Sequence, residues 1–258
     1  MKFAVNYSPQ AAGLFASGVF GLDLFKCPDW PDLVDEARRH RPVYVHFDLV
    51  AGDGLKDMDW NAVDALLERT GTPYVNLHLA PRSFAEDASP TLLADRLVED
   101  VMKMAARYGA HRVIVENVPY RPGGKVPRAA VEPDVIGRVV RETGCGFLLD
   151  VAHARIAARS LGVDERVYIE ALPVAHLREL HVTGLGHDGQ RLRDHMPLTE
   201  EDWARTEWVV ARVADGTFGR PWVLACEYGG VGPVFEWRSD PSVMAEQFPR
   251  LCALARQA

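Results

Sequence analysis

The chain has 258 residues, 48% of them apolar, and a formal charge of −7. It contains no apolar run of the eighteen or so residues a membrane helix needs, and its acidic balance argues against a nucleic-acid partner. Four scattered cysteines (Cys27, Cys145, Cys226, Cys252) with no CxxC pair leave neither a zinc knuckle nor a disulfide scaffold.

A length near 250 residues suits one α/β barrel, so a single domain over residues 1–258 is expected. The opening M-K-F-A-V-N-Y-S-P reads directly as a strand and lacks the apolar stretch of a signal peptide. A reducing cytoplasm is the expected setting.

In chain order, Lys2–Tyr7 is the first strand and Phe20–Lys26 the second, with only a short Ala/Gly-rich segment between them. Trp30–Arg39 starts P-D-W-P-D, a helix start with proline near the first turn and acids that suit the helix dipole. Val43–Leu49 is strand three, Asp59–Arg69 a helix stopped by Gly71, and Tyr74–Leu79 strand four. Ser89–Tyr108 is a helix with a serine cap, Pro90 at its first position and an apolar stripe of Leu93, Leu97, Val101 and Met104.

Arg112–Val118 is strand five, Glu132–Glu142 a helix and Phe147–Val151 strand six. Asp164–Leu172 is a helix, Leu177–Thr183 strand seven, and a polar loop follows. Thr199–Ala214 opens with T-E-E-D-W, a threonine cap with acids behind it. Trp222–Tyr228 is strand eight and Pro241–Arg256 a closing helix. Eight strands alternating with helices predict a (β/α)8 TIM barrel.

In such a barrel chemistry gathers where strands end, and residues that precede strands lie on the opposite, structural face. His40, His111 and His176 precede strands and fall on that structural face. His46 and His78 come late in strands three and four, His153 follows strand six, His181 ends strand seven, and Asp194 and His195 lie in the loop behind it. Glu116, Asp150 and Glu227 each close an apolar strand. Side chains alternate along a strand, so an inward Glu227 brings Ala225 inward and turns Cys226 toward the helices. Ionised carboxylates inside a barrel are costly unless paired or bound to metal. Six consecutive strands that each deliver His, Asp or Glu at one end therefore predict a centre of several metal ions.

The order His46, His78, Glu116, Asp150-x-x-His153, His181, Asp194/His195, Glu227 resembles the xylose-isomerase-like barrels. Glu116, Asp150, His181 and Glu227 match the single divalent-metal site of the epimerases there, and the remaining histidines with Asp194 match the extra ligands of two- and three-metal members. From Tyr74 to Glu227, the wording G-C-G-F-L-L-D-V, A-L-P-V-A-H-L-R-E-L-H-V-T-G, the D-H behind it and V-E-N-V-P-Y resembles more closely the multinuclear non-heme iron-dependent oxidative enzymes of the methanobactin-maturation type, formerly a domain of unknown function. The chain departs from that pattern in V-A-H-A-R after Asp150 and in the adjacency of Asp194 and His195.

The resemblance implies two or three iron ions, O₂, and oxidative modification of a cysteine-containing peptide, with a partner protein that presents it. Glu116 would bridge two ions, one held by His46 and His78, the other by Asp150, His181 and Glu227. His153 with Asp194 and His195 would hold a third. Glu116, His153 and Glu227 are the expected catalytic groups. The same donors also take zinc or manganese. Hydrolysis of a phosphate ester by metal-activated water, isomerisation or epimerisation of a small sugar through Glu116 and Glu227, and a non-catalytic metal-binding module are the alternatives. Arg155 and Arg193 are candidates to clamp a substrate carboxylate or phosphate, and Asn117 beside Glu116 is a further candidate substrate contact.

Overall fold

The computed structural model describes residues 1–56, 58–187, 189, 191–233 and 235–258. Its elements run β1 (Lys2–Asn6), α1 (Pro9–Ala16), β2 (Leu24–Pro28), α2 (Pro31–Arg38), β3 (Val43–His46), α3 (Trp60–Thr70), β4 (Val75–His78), α4 (Pro90–Tyr108) and β5 (Val113–Glu116). They continue α5 (Pro133–Thr143), β6 (Gly146–Asp150), α6 (Val151–Leu161), α7 (Glu165–Ala171), β7 (Leu177–Val182), β8 (Gly184–His187), β9 (Leu192–Met196), α8 (Glu200–Ala214), β10 (Val223–Cys226) and α9 (Pro241–Ala255). Eight parallel strands alternate with helices, the (β/α)8 TIM-barrel class that the periodicity predicts. Among the described residues no helix is long and apolar enough to cross a membrane.

By internal packing the chain divides into two compact units. One comprises Met1–His46, Val63–Thr72 and Glu179–Ala258; the other comprises Phe47–Ala62 and Pro73–Arg178. In the first, the strand order is β3-β2-β1-β10-β7. Ala4 registers with both Leu24 and Ala225, and Ala225 with His181. These strands turn Ala4, Leu24, Tyr44, Val223 and Ala225 into one buried cluster against Trp222. Ala225 is thus inward, as the alternation from Glu227 requires.

In the second unit the order is β6-β5-β4, with His78 in register with Glu116. The segment after β3 runs beside β4: His78 donates its backbone N–H to Leu49 and accepts from Ala51. Asp100, fully buried in α4, anchors the turn beyond by accepting from the Gly52 and Gly54 amides at 2.8 and 2.7 Å. The predicted stripe of α4 is buried throughout, with Leu93, Leu97, Val101 and Met104 all at 0% exposure.

Several expectations need correction. The first crossover does contain a helix, α1, because Ser8 accepts from the Ala11 amide at 3.1 Å and Pro9 preorganises the first turn. The second strand begins at Leu24, later than expected: its pairing with β1 starts there, and the Asp23 carboxylate just before it accepts from Phe3 N–H at 2.8 Å. Ser89 holds the N-cap position of α4 without a capping side-chain bond. Thr199 and Asp202, by contrast, form a complete capping box on α8. The loop expected after strand seven is an antiparallel hairpin, β8–β9. Gly184 is required at its base: a Cβ there would meet the Pro197 carbonyl oxygen at 1.9 Å.

Candidate functional site

In the unit built on β4, β5 and β6, four predicted ligands come together. Glu116, 1% exposed, closes β5. Its Oε2 lies 3.2 Å from His78 Nε2 and its Oε1 3.5 Å from His153 Nδ1. Asp150 closes β6, caps α6 by accepting from the His153 amide at 2.7 Å, and holds its second oxygen 3.8 Å from the His153 ring. The helix cap and the predicted ligand are therefore the same side chain. Glu116, Asp150 and His153 each offer a donor atom within 4.8 Å of the others. Two donors that share one ion at about 2.1 Å stand roughly 3 Å apart, so the 3.2 Å between His78 Nε2 and Glu116 Oε2 fits a metal.

The two histidines are oriented by the backbone. His78 Nδ1 meets the Leu49 carbonyl at 3.1 Å and His153 Nδ1 meets the Asn117 carbonyl at 3.0 Å. A carbonyl only accepts, so each Nδ1 carries the proton, and in the neutral ring the lone pair sits on Nε2. This is how ligating histidines are usually held.

In the unit built on β1, β2, β3, β7 and β10, Glu227 follows β10 and lies buried among cations. Lys26 Nζ, from β2, makes a very short ion pair with Glu227 Oε1, and both side chains are almost wholly buried. His181 Nδ1 stands 3.1 Å from the same oxygen, and His181 Nε2 lies 2.7 Å from Glu179 Oε1. Glu179 in turn accepts from Trp222 Nε1 at 3.2 Å. Burial and the Lys26 ammonium push the His181 imidazole down, but Glu227 and Glu179 outweigh them and hold it raised at about 9. Burial pushes Glu227 up, yet Lys26 and His181 hold it well below the usual carboxylate range. The His46 ring is tilted against that of His181, with centroids 5.0 Å apart.

Asp194 and His195 lie on β9. His195 adopts φ 58°, the left-handed region that a side chain makes unfavourable, and this turns its ring toward Glu227. Its Nδ1 donates to the Glu227 carbonyl at 2.9 Å, which leaves the Nε2 lone pair for a ligand, as at His78 and His153. Burial is the main cause that lowers its pKa. Asp194 Oδ1 stands 4.0 Å from His195 Nε2. Arg238 adds positive charge that Glu227 and Asp194 feel.

Two predicted substrate contacts are placed otherwise. Arg155 lies in α6, is 1% exposed, and pairs its guanidinium with Glu165 at 2.9 Å. It pins α7 to α6. Asn117 is fully buried and binds the Asp150 backbone in both directions at 2.9 Å, so it joins β5 to β6. Arg193 is half-buried on β9, its guanidinium 4.7 Å from the centre of the exposed Trp237 ring. Cys27 is a packing residue: burial pushes its thiol up to about 12.

Sequence reasoning overlooked Lys26 and Glu179. Both signals were present, since a lone lysine in an apolar strand and an acid two residues before an inward histidine face the same way as the ligands.

A model of the RiPP precursor modification enzymes MbnB/TglH/ChrH matches residues 27–216. The chain belongs to that family. A UPF0276 protein of Caulobacter vibrioides is similar to this MbnB/TglH/ChrH family member, with 28% identity over 199 residues that span 70% of this chain and 69% of the relative. Among solved structures, a xylose isomerase domain protein from Alicyclobacillus acidocaldarius superposes with TM-score 0.57 at 17% identity, covering 99% of each chain. D-psicose 3-epimerase from Clostridium cellulolyticum H10 does so with TM-score 0.54 at 15% identity, covering 98% of this chain and 99% of its own. These likenesses identify the barrel as xylose-isomerase-like, and they concern the fold alone.

Proposed function

We propose that this MbnB/TglH/ChrH family member is a multinuclear, iron-dependent oxidative enzyme that acts on a peptide, at cysteine, within one barrel domain. The observation that carries the metal dependence is the handling of its histidines. His78, His153 and His195 each give their Nδ1 proton to a backbone carbonyl, and His181 has Glu179 on its Nε2. Such orientation belongs to ligands. The buried carboxylates Glu116 and Asp150 beside them need cationic company.

The proposed ligands are His46, His78, Glu116, Asp150, His153, His181, Asp194, His195 and Glu227, for two or three ions. Nitrogen and oxygen donors of this mixture suit iron(II), and also manganese or zinc. Bound iron would supply the redox capacity that O₂-dependent chemistry requires. The protein's own groups do the rest. Glu116 holds the His78 and His153 rings in place through its two oxygens. Glu116, His153 and Glu227 are the proposed catalytic groups, and Arg193, backed by Trp237, meets a carboxylate of the peptide. A family of RiPP precursor modification enzymes supports a peptide substrate, and a partner protein that delivers it is part of the proposal.

Protein purified without added metal is expected to contain iron by elemental analysis and to consume O₂ with a cysteine peptide. An iron-replete protein that leaves cysteine peptides unchanged in air would count against oxidation, and turnover of a phosphate ester without O₂ would turn the assignment to hydrolysis.

A further inference from the structure

Lys26 sits where a metal ion on Glu227 would otherwise be required. It comes from β2, in register with Asn6 of β1 and Tyr44 of β3, is 5% exposed, and carries its ammonium to Glu227 Oε1. That oxygen is also the one nearest His181 Nδ1, at 3.1 Å. Behind His181, Glu179 lies on Nε2. The group therefore contains two carboxylates, one fixed ammonium and an imidazole between the acids. Its negative charge has an answer built into the chain.

We infer that Lys26 is a resident cation that competes with a metal ion for Glu227, so that the ion bound through Glu227 and His181 is the weakest this chain holds. The inference rests on the metal dependence proposed above and goes beyond it. An ammonium cannot share a carboxylate oxygen with a divalent ion without strong repulsion, because both are positive and the pocket is shielded from water. Metal uptake at Glu227 requires the Lys26 side chain to move off that oxygen. Where Lys26 holds its place, occupancy there stays low while the donors around Glu116 fill.

The test is equilibrium dialysis of the whole chain against Mn(II), and against Fe(II) without oxygen, with ions per chain counted by elemental analysis. Lys26→Met keeps the length of the side chain and removes its charge. It is expected to bind the weakest ion about tenfold more tightly, or more, than wild type, and to gain more melting temperature from added Mn(II). Adding Glu227→Gln to Lys26→Met abolishes that gain. Lys26→Arg retains the charge and folds without it being lost, and it binds the weakest ion no more tightly than wild type. Tighter binding in Lys26→Arg overturns the inference, as does unchanged binding in Lys26→Met. If wild type holds metal and Lys26→Met shows no gain, this inference alone falls; if neither protein binds metal, the metal dependence falls with it. Lys26→Met that folds only with Mn(II) supports the inference. If it folds under neither condition, the Lys26→Arg comparison decides.

Discussion

The two units solve the same electrostatic problem differently. On the Glu116 side, a buried carboxylate meets His78 and His153, rings whose protons are directed at backbone carbonyls. On the Glu227 side, a buried carboxylate meets a lysine and an imidazole raised to about 9 by acids on both its sides. The first arrangement presents the His78 Nε2 lone pair beside Glu116, and the second presents charge already compensated. Donor type alone does not make a ligand; what stands behind the donor decides how readily it takes an ion.

The hardest blow to this comparison is Glu116→Gln. It is expected to cost metal affinity beyond the about hundredfold typical of losing an orienting partner, whereas Glu227→Gln costs less. Equal losses at both positions in a metal titration would erase the distinction. Next comes Glu165→Gln, which leaves the buried Arg155 guanidinium in the same unit without its carboxylate and should destabilise the fold by about 3 kcal/mol in chemical denaturation.

That effect has a defined pH sense. Burial raises the Glu165 carboxyl, but Arg159 and Arg155 more than reverse it and leave its pKa below the ordinary value. A depressed acid stabilises above its unfolded pKa, near 4.5, and loses this as pH falls through the folded value. The stability gap between wild type and Glu165→Gln should thus be full at neutral pH and close in acid. A gap that persists at the lowest pH would show that packing, not the ion pair, carries it.

A smaller change sharpens the other side. Glu179→Gln leaves the His181 ring in its pocket but weakens the hold on its Nε2 proton, and metal affinity should fall about tenfold with the melting temperature little altered. The smallest expected effect is that of Thr199→Ala, which removes the capping box of α8 for about 1 kcal/mol and leaves metal binding as it was. A metal effect there would mean that the hairpin carrying Asp194 and His195 depends on the start of α8.

Much of the fold was legible because strand and helix periods are local. The stripe Leu93, Leu97, Val101, Met104 and the apolar runs ending in Glu116 and Asp150 need nothing distant to be recognised. The α1 helix was harder to see, since it is only eight residues long and carries Gly13 in its middle. Arg155 was taken for a substrate clamp because the partner that buries it, Glu165, lies ten residues on in another helix.

The sequence by itself determined that acids and imidazoles arrive at the ends of barrel strands, since hydrophobic alternation fixes both the strand and the face its last side chain takes. Only the tertiary structure decided which of them meet protons, carbonyls or an ammonium. Lys26 and Glu227 are 201 residues apart, and His181 and Glu179 share a face whose other occupants come from different strands. Charge compensation acts across a few ångströms in space, a distance that spacing along the chain does not record.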